Sequence, residues 1–171
     1  MRIEVLDGDS AWPLAEPLDR EVYPPEVMAT LPWRDVVWAH ADRRVLVRES
    51  GRVLCHAGLF FRDGLVDGRK VRICGVGGVM TAADARRRGH ASAAMKRAAQ
   101  VMREEGVDFG LLFCEEHNVG FYGTLGWLAF PGKVRCTQPG GPMVFDIIPA
   151  MILPLEAAPR GGVIDLCGLP W

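Results

Sequence analysis

The sequence predicts an α/β (α+β) domain on a mixed, mostly antiparallel sheet, and three observations carry that expectation. Residues 44 to 81 read as successive strands separated by tight-turn signals. Residues 70 to 114 read as strand, amphipathic helix and buried strand, and the chain returns to strand from Trp127 onward.

Arg2 to Leu6 alternates polar and apolar side chains, the period of a half-buried strand, and ends at the turn-forming Asp7-Gly8-Asp9. From Trp12 to Trp38, prolines at 13, 17, 24, 25 and 32 predict a helical region cut into short pieces that forms one wall of a cleft. Arg44 to Glu49 and Arg52 to Arg62 follow as two strands joined at Ser50-Gly51, and Asp67-Gly68 leads into a third from Lys70 to Thr81. Gly75, Gly77 and Gly78 weaken that last strand, so they mark a bulge or a ligand lying close to the backbone.

Between Gly89 and Glu105, Ala91, Ala94, Met95, Ala98, Val101 and Met102 recur at helical spacing, and Gly106 ends the helix. Asp108 to Cys114 is the apolar run of a buried strand lying parallel to 70–81. Asn118 is placed to cap a short helix reaching Leu125, and further strands are expected after Trp127 and over Met143 to Ile148.

At 171 residues the chain is expected to form one domain, residues 1–171, able to bury a core without disulfides or metals. A net charge of −1 argues against nucleic acid as the main partner. The five cysteines show no Cys-x-x-Cys spacing and His40 and His56 lack partners at ligand spacing, so no metal is expected and free thiols are. Residues 1 to 30 hold no signal-peptide core and no apolar run is long enough for a membrane span, so a soluble cytoplasmic protein is expected.

Two strings carry the chemistry. Arg86-Arg87-Arg88-Gly89-His90-Ala91 opens a helix, where unpaired amides and the helix dipole favour an anion and Gly89 lets it approach the backbone. His90 should contribute its backbone rather than its ring. Thirty-odd residues later, Phe121-Tyr122-Gly123-Thr124-Leu125-Gly126-Trp127 sets one phenol at the start of a short apolar helix.

In this setting the strings resemble the GCN5-related N-acetyltransferase (GNAT) superfamily, whose members carry Gln/Arg-x-x-Gly-x-Gly/Ala before a helix and a Tyr ahead of Leu-Gly-Phe/Trp. The resemblance covers residues 70 to 130 and implies a central sheet of about six to seven strands with about four helices. It implies acetyl-CoA as co-substrate, with Val79, Met80 and Thr81 bonding the pantetheine arm and Arg86, Arg87, Arg88, Gly89, His90 and Ala91 holding the pyrophosphate. Many members have an Asn seven residues before the tyrosine, where this chain has Glu115; Asn118 is the candidate for that contact. Tyr122 is the implied general acid, protonating the departing thiolate. The superfamily's strand-four Glu is absent from Gly75-Val76-Gly77-Gly78, which leaves water, a backbone carbonyl, or an acid such as Glu115 or Glu116 as proton acceptor.

The tail, Pro142 to Pro149 and then Val163 to Cys167 with Trp171, resembles the aminoglycoside 2'-N-acetyltransferases, which implies a role for Trp171 beside a bound amino sugar. Acids expected before Trp33, on strand four and ahead of Val144 are missing; those remaining include Glu26, Asp35, Glu115, Glu116 and Asp165. Asp35, Glu115, Glu116 and Trp171 are therefore the substrate-site candidates, and a smaller amino sugar, kasugamycin-like, would need fewer acids. Acetylation of another small amine or of a protein amino group, and acyl-CoA binding without catalysis, are the alternatives. Homodimerisation is left open.

Overall fold

A computed structural model describes residues 1–171. Strand β1 (Arg2–Asp7) enters helix α1 (Gly8–Val22) through Asp7, whose carboxylate accepts from the Ser10 amide at 3.0 Å, and a short helix α2 (Pro25–Met28) follows. The expected meander is β2 (Arg43–Glu49), β3 (Arg52–Val66) and β4 (Arg69–Thr81), all antiparallel. Helix α3 (His90–Glu104) crosses to β5 (Phe109–Phe113), which lies parallel to β4, and α4 (Val119–Gly123) comes next. The chain closes with β6 (Leu128–Ala129), β7 (Lys133–Gln138), β8 (Gly141–Val144), β9 (Ala150–Pro154) and β10 (Val163–Asp165).

All ten strands form one sheet, more than the six to seven expected, because β6, β8 and β10 are too short to show a period. Its order is β6-β9-β5-β4-β3-β10-β7-β8, with β2 pairing β3 and β1 lying beyond β2. The strand expected over Met143 to Ile148 stops at Val144. Pro149 has no amide to offer a ladder, its carbonyl accepts from Cys114 at 3.0 Å, and β9 begins after it.

Of the region expected as short helical pieces, residues 12–22 instead belong to one helix of 15 residues that runs through Pro13 and Pro17, whereas Pro24 and Pro25 do break the chain and leave only the short α2 before Trp38. Pro13 and Pro17 lie on the exposed side of α1, so the carbonyls they orphan are open to water, while Ala11, Ala15 and Leu18 pack on Leu46, Leu54 and Met80. Tertiary burial outweighs the local penalty here. Helix α3 behaves as its period demands: Ala94, Met95, Ala98, Val101 and Met102 are buried against Val45, Ala57, Leu59, Val76 and Leu112.

The opposite face of the sheet is covered by Phe60, Phe109, Phe145, Ile164, Leu166 and Trp171. Here the glycines of β4 gain their explanation. A Cβ on Gly75 would lie 2.0 Å from the Trp171 indole, and one on Gly77 would lie 2.9 Å from the Trp171 carbonyl carbon. The indole is 5 % exposed, stacks on Phe60 at a 17° interplanar angle and donates from Nε1 to the Leu111 carbonyl at 3.0 Å. The indole is thus a core group, whereas the resemblance implied that the main-chain carboxylate of Trp171, not the ring, reaches a substrate. The indole's polar handle is satisfied and its body fills the notch that glycine leaves.

Trp171→Ala should lower the unfolding free energy by about 3–5 kcal/mol in urea titrations. Trp171→Phe should cost about 1–2 kcal/mol, mostly for the unpaired Leu111 carbonyl.

Candidate active site

Strand β4 stays with β3 to its end, from Arg69 to Thr81, but pairs β5 only from Ile73↔Phe109 to Val76↔Leu112. Past that point β5 follows β9 as far as Phe113↔Ala150. A gap therefore opens between β4 and β5, with the edge of Gly77 to Thr81 on one side. Within that edge the register slips between His56↔Met80 and Gly58↔Gly77, so β4 holds one extra residue. Gly78 carries the bulge at φ +57°, a backbone state that a side chain would strain.

At the end of β4 the chain turns through Arg86 to Gly89 into α3. Arg87 at φ 61° and Gly89 at φ 81° are both left-handed, an arrangement that curls successive amides around one point. The first helical bond runs from Ala93 to the Gly89 carbonyl at 2.9 Å, and the amides of residues 87 to 92 have no acceptor in the chain. Arg86, Arg87 and Arg88 are exposed around them. This is an anion cradle made of backbone donors, a helix dipole and mobile positive charge. The His90 ring is buried, as expected of a residue that offers its backbone, and its Nδ1 has no partner.

Tyr122, on α4, is 7 % exposed, and its hydroxyl makes no hydrogen bond within the chain. Burial, with Cys114, Tyr23 and Cys55 nearby, raises its pKa well above the ordinary 10.0, so the phenol keeps its proton across the neutral range. Tyr23, which sequence reasoning passed over, ends α1 and packs beside Met80, Ala82 and Ala85. Burial again raises its pKa, with Asp19, Glu115 and Arg86 as the charges around it. Both tyrosines of the chain therefore border one region. Tyr23 is carried there at the end of an α1 that runs through Pro13 and Pro17, so its placement was illegible in sequence.

A cavity of about 610 Å³ lies beyond β5, lined by Glu115, Glu116, His117, Ile147, Ile148 and Pro149. Of the substrate candidates only Glu115 and Glu116 line it. Asp35 is exposed and faces Arg34 at 3.6 Å, and Asp165 accepts from the Cys167 amide at 2.8 Å. Asn118 starts α4 without the expected side-chain cap, because its φ of −95° and ψ of −10° are already helical. Beside the cavity mouth, Phe113 touches Phe145 at 4.5 Å and Trp171 at 6.3 Å between ring centres. The chain from Val37 to Ala39 is stitched across by the Val37–Gln138 bonds at 2.9 Å and by Ala39 to Pro170 at 2.7 Å.

The profile of the family described as "Acetyltransferase (GNAT) domain" matches residues 12–129, more than half of the chain. The chain belongs to this family. Acyl transfer from acetyl-CoA is the chemistry that membership brings. No curated protein matches the sequence significantly.

Among solved structures, a GNAT family acetyltransferase from Brucella melitensis in complex with acetyl-CoA is similar at a TM-score of 0.62 and 14 % identity, over 95 % of this chain and 94 % of that one. The GNAT family N-acetyltransferase YhbS from Escherichia coli in complex with CoA gives a TM-score of 0.66 and 16 % identity, over 97 % and 89 %. A GCN5-related N-acetyltransferase from Kribbella flavida gives 0.56 and 19 %, over 77 % of this chain but 34 % of that one, so this chain spans about a third of its length. At these identities the likeness is one of fold. The GNAT domain has no cluster of His, Cys, Asp or Glu able to hold a metal and no helix long and apolar enough to cross a membrane. All five cysteines are free.

One further group borders the GNAT gap. His56, from β3, places Nδ1 2.6 Å from the Gly78 carbonyl and Nε2 3.0 Å from Arg44. Burial brings the ring's pKa down to about 4 from 6.5, so the folded chain holds it neutral while the unfolded chain protonates it below about 6.5. This stabilisation is whole above the unfolded value and is lost as pH falls toward the folded one, by about 3 kcal/mol at most. Urea midpoints between about pH 7 and about pH 4.5 should fall for the wild type and fall less steeply for His56→Asn.

Proposed function

We propose that this domain acetylates a primary amine of a small cationic substrate, an amino sugar of the aminoglycoside type being the first candidate, by direct attack within a ternary complex. Tyr122 serves as general acid. The observation that carries this reading is Tyr122: a buried residue whose pKa burial raises and whose hydroxyl is unclaimed by any other group in the chain.

The coenzyme reading follows the geometry of the gap. The free edge over Val79 to Thr81 offers the amides and carbonyls of its outward-facing residues to the amide-bearing pantetheine arm, the Thr81 carbonyl also accepting from Arg86 Nε at 3.4 Å. The unpaired amides of Arg87 to Ala91, with the side chains of Arg86 to Arg88, suit a pyrophosphate. Asn118, whose side chain makes no bond, is free to reach the coenzyme. The thioester then sits toward Tyr122.

In the chemical step the amine nitrogen bonds the thioester carbon, the carbon–sulfur bond breaks, and the thiolate takes the phenol proton. The amine's surplus proton passes to Glu115 or Glu116, directly or through water, and from there to solvent, while the phenolate regains its proton from solvent. The two carboxylates and the apolar wall of Ile147 and Ile148 suit a cation with a modest apolar face. Two acids and about 610 Å³ of open cavity favour a small, kasugamycin-like amine over a heavily charged one. A main-chain oxygen of Trp171, packed toward Gly77, is the remaining acceptor on the β4 side.

Coenzyme A release from acetyl-CoA, measured across a panel of aminoglycosides, small amino sugars, amino acids and peptides, tests the acceptor. Turnover confined to non-sugar amines would sink the amino-sugar reading and leave acetyl transfer standing. Tyr122→Phe should lower kcat about 100-fold or more with the KM for acetyl-CoA little changed. Glu115→Gln combined with Glu116→Gln should instead raise the KM for a cationic amine about tenfold.

A further inference from the structure

Arg44, His56 and Gly78 form a buried chain of hydrogen bonds that no step above uses. Arg44 donates from Nε to the Gly8 carbonyl at 2.7 Å and from Nη1 to His56 Nε2 at 3.0 Å, and His56 Nδ1 donates to the Gly78 carbonyl at 2.6 Å. Arg44 is 8 % and His56 2 % exposed. The guanidinium lies over the Trp12 ring at 4.6 Å and has no carboxylate within ion-pair distance, Asp9 and Asp19 acting on it only from further off. A lone charge at such depth is a costly way to fill space, and an apolar side chain would fill it more cheaply.

The arrangement does something an apolar side chain could not: it assigns every proton in the chain. A guanidinium only donates, so His56 Nε2 must present a lone pair. A carbonyl only accepts, so Nδ1 must carry the hydrogen. Both ends demand the same neutral tautomer, and a flipped ring would satisfy neither. The bond at its far end falls on Gly78, the bulge residue at φ +57° and the point of greatest torsional freedom on the free edge of β4. Fixing the Gly78 carbonyl fixes the whole trans peptide, including the Val79 N–H, which points the opposite way.

We propose that Arg44 and His56 are positioning residues that lock the Gly78–Val79 peptide, so that the coenzyme arm meets a preformed strand edge. This rests on the assignment of Val79 to Thr81 as the pantetheine-binding edge. Without the lock, ordering that peptide would be charged against binding of acetyl-CoA.

The two ring nitrogens can be replaced separately. In His56→Asn the side-chain amide N–H stands where Nδ1–H stood and can still reach Gly78; in His56→Gln the amide reaches Arg44 but leaves Gly78 unbonded. Titration calorimetry with acetyl-CoA should show about tenfold weaker binding for His56→Gln and no more than about threefold for His56→Asn. Steady-state KM for the acceptor should stay within about twofold in both. Melting temperatures of the same samples separate a positioning role from loss of fold. Equal affinity in wild type and both variants, or equal losses that track melting temperature, would overturn the proposal while leaving the coenzyme site intact. A wild type that fails to bind acetyl-CoA would overturn the coenzyme assignment itself, and this proposal with it.

Discussion

Strand β4 spends its two edges unequally, and the rest of the site depends on that imbalance. One edge is bonded to β3 along its whole length, whereas the other holds β5 over four positions, Ile73 to Val76. A strand inside a sheet leaves a backbone edge unpaired only at a cost, because each amide and carbonyl there must find another partner. The bulge at Gly78 bends β4 where β5 leaves it for β9. On the proposed reading an amide-rich coenzyme arm supplies the partner the sheet withholds, and the defect in the ladder becomes a binding slot.

Charge of both signs follows the two strands that part at the gap: Arg86, Arg87, Arg88 and the start of α3 come after β4, while Glu115 and Glu116 come after β5 and line the cavity. On the proposed reading a phosphate-bearing donor and an ammonium-bearing acceptor would be drawn to different groups. Tyr122 is withdrawn from both, and burial, rather than a charged neighbour, is the largest influence on its pKa. A phenol whose pKa burial raises keeps its proton across the neutral range, which suits the proposed proton donor.

The turn proposed to hold the coenzyme was legible as a candidate anion cradle because its signals are local. Arg86 to Ala91 is a continuous string at a helix start where backbone amides go unpaired, and the periodicity of α3 fixes which way its first turn points. The acceptor half is assembled from distant pieces, Glu115 to His117 with Ile147 to Pro149, and no spacing rule joins them. The same limit hid Tyr23, delivered by a helix whose prolines argue against it, and His56, whose partners Arg44 and Gly78 come from neighbouring strands. The packing of the Trp171 indole was hidden in the same way, because nothing in the sequence showed that Gly75 left a space of its shape.

That space also accounts for the acid missing from β4. A carboxylate at position 75 would have to occupy the volume of the Trp171 ring, and a side chain at 77 would meet the Trp171 carbonyl carbon at 2.9 Å and the Phe60 ring at 3.2 Å. The glycines and the tryptophan are therefore one packing solution: the notch is needed for the ring, and the ring excludes an acid. On the proposed mechanism the proton acceptor for the attacking amine is then water, a main-chain oxygen, or an acid such as Glu115 or Glu116. The absence of an acid from β4 follows from how this sheet closes that face.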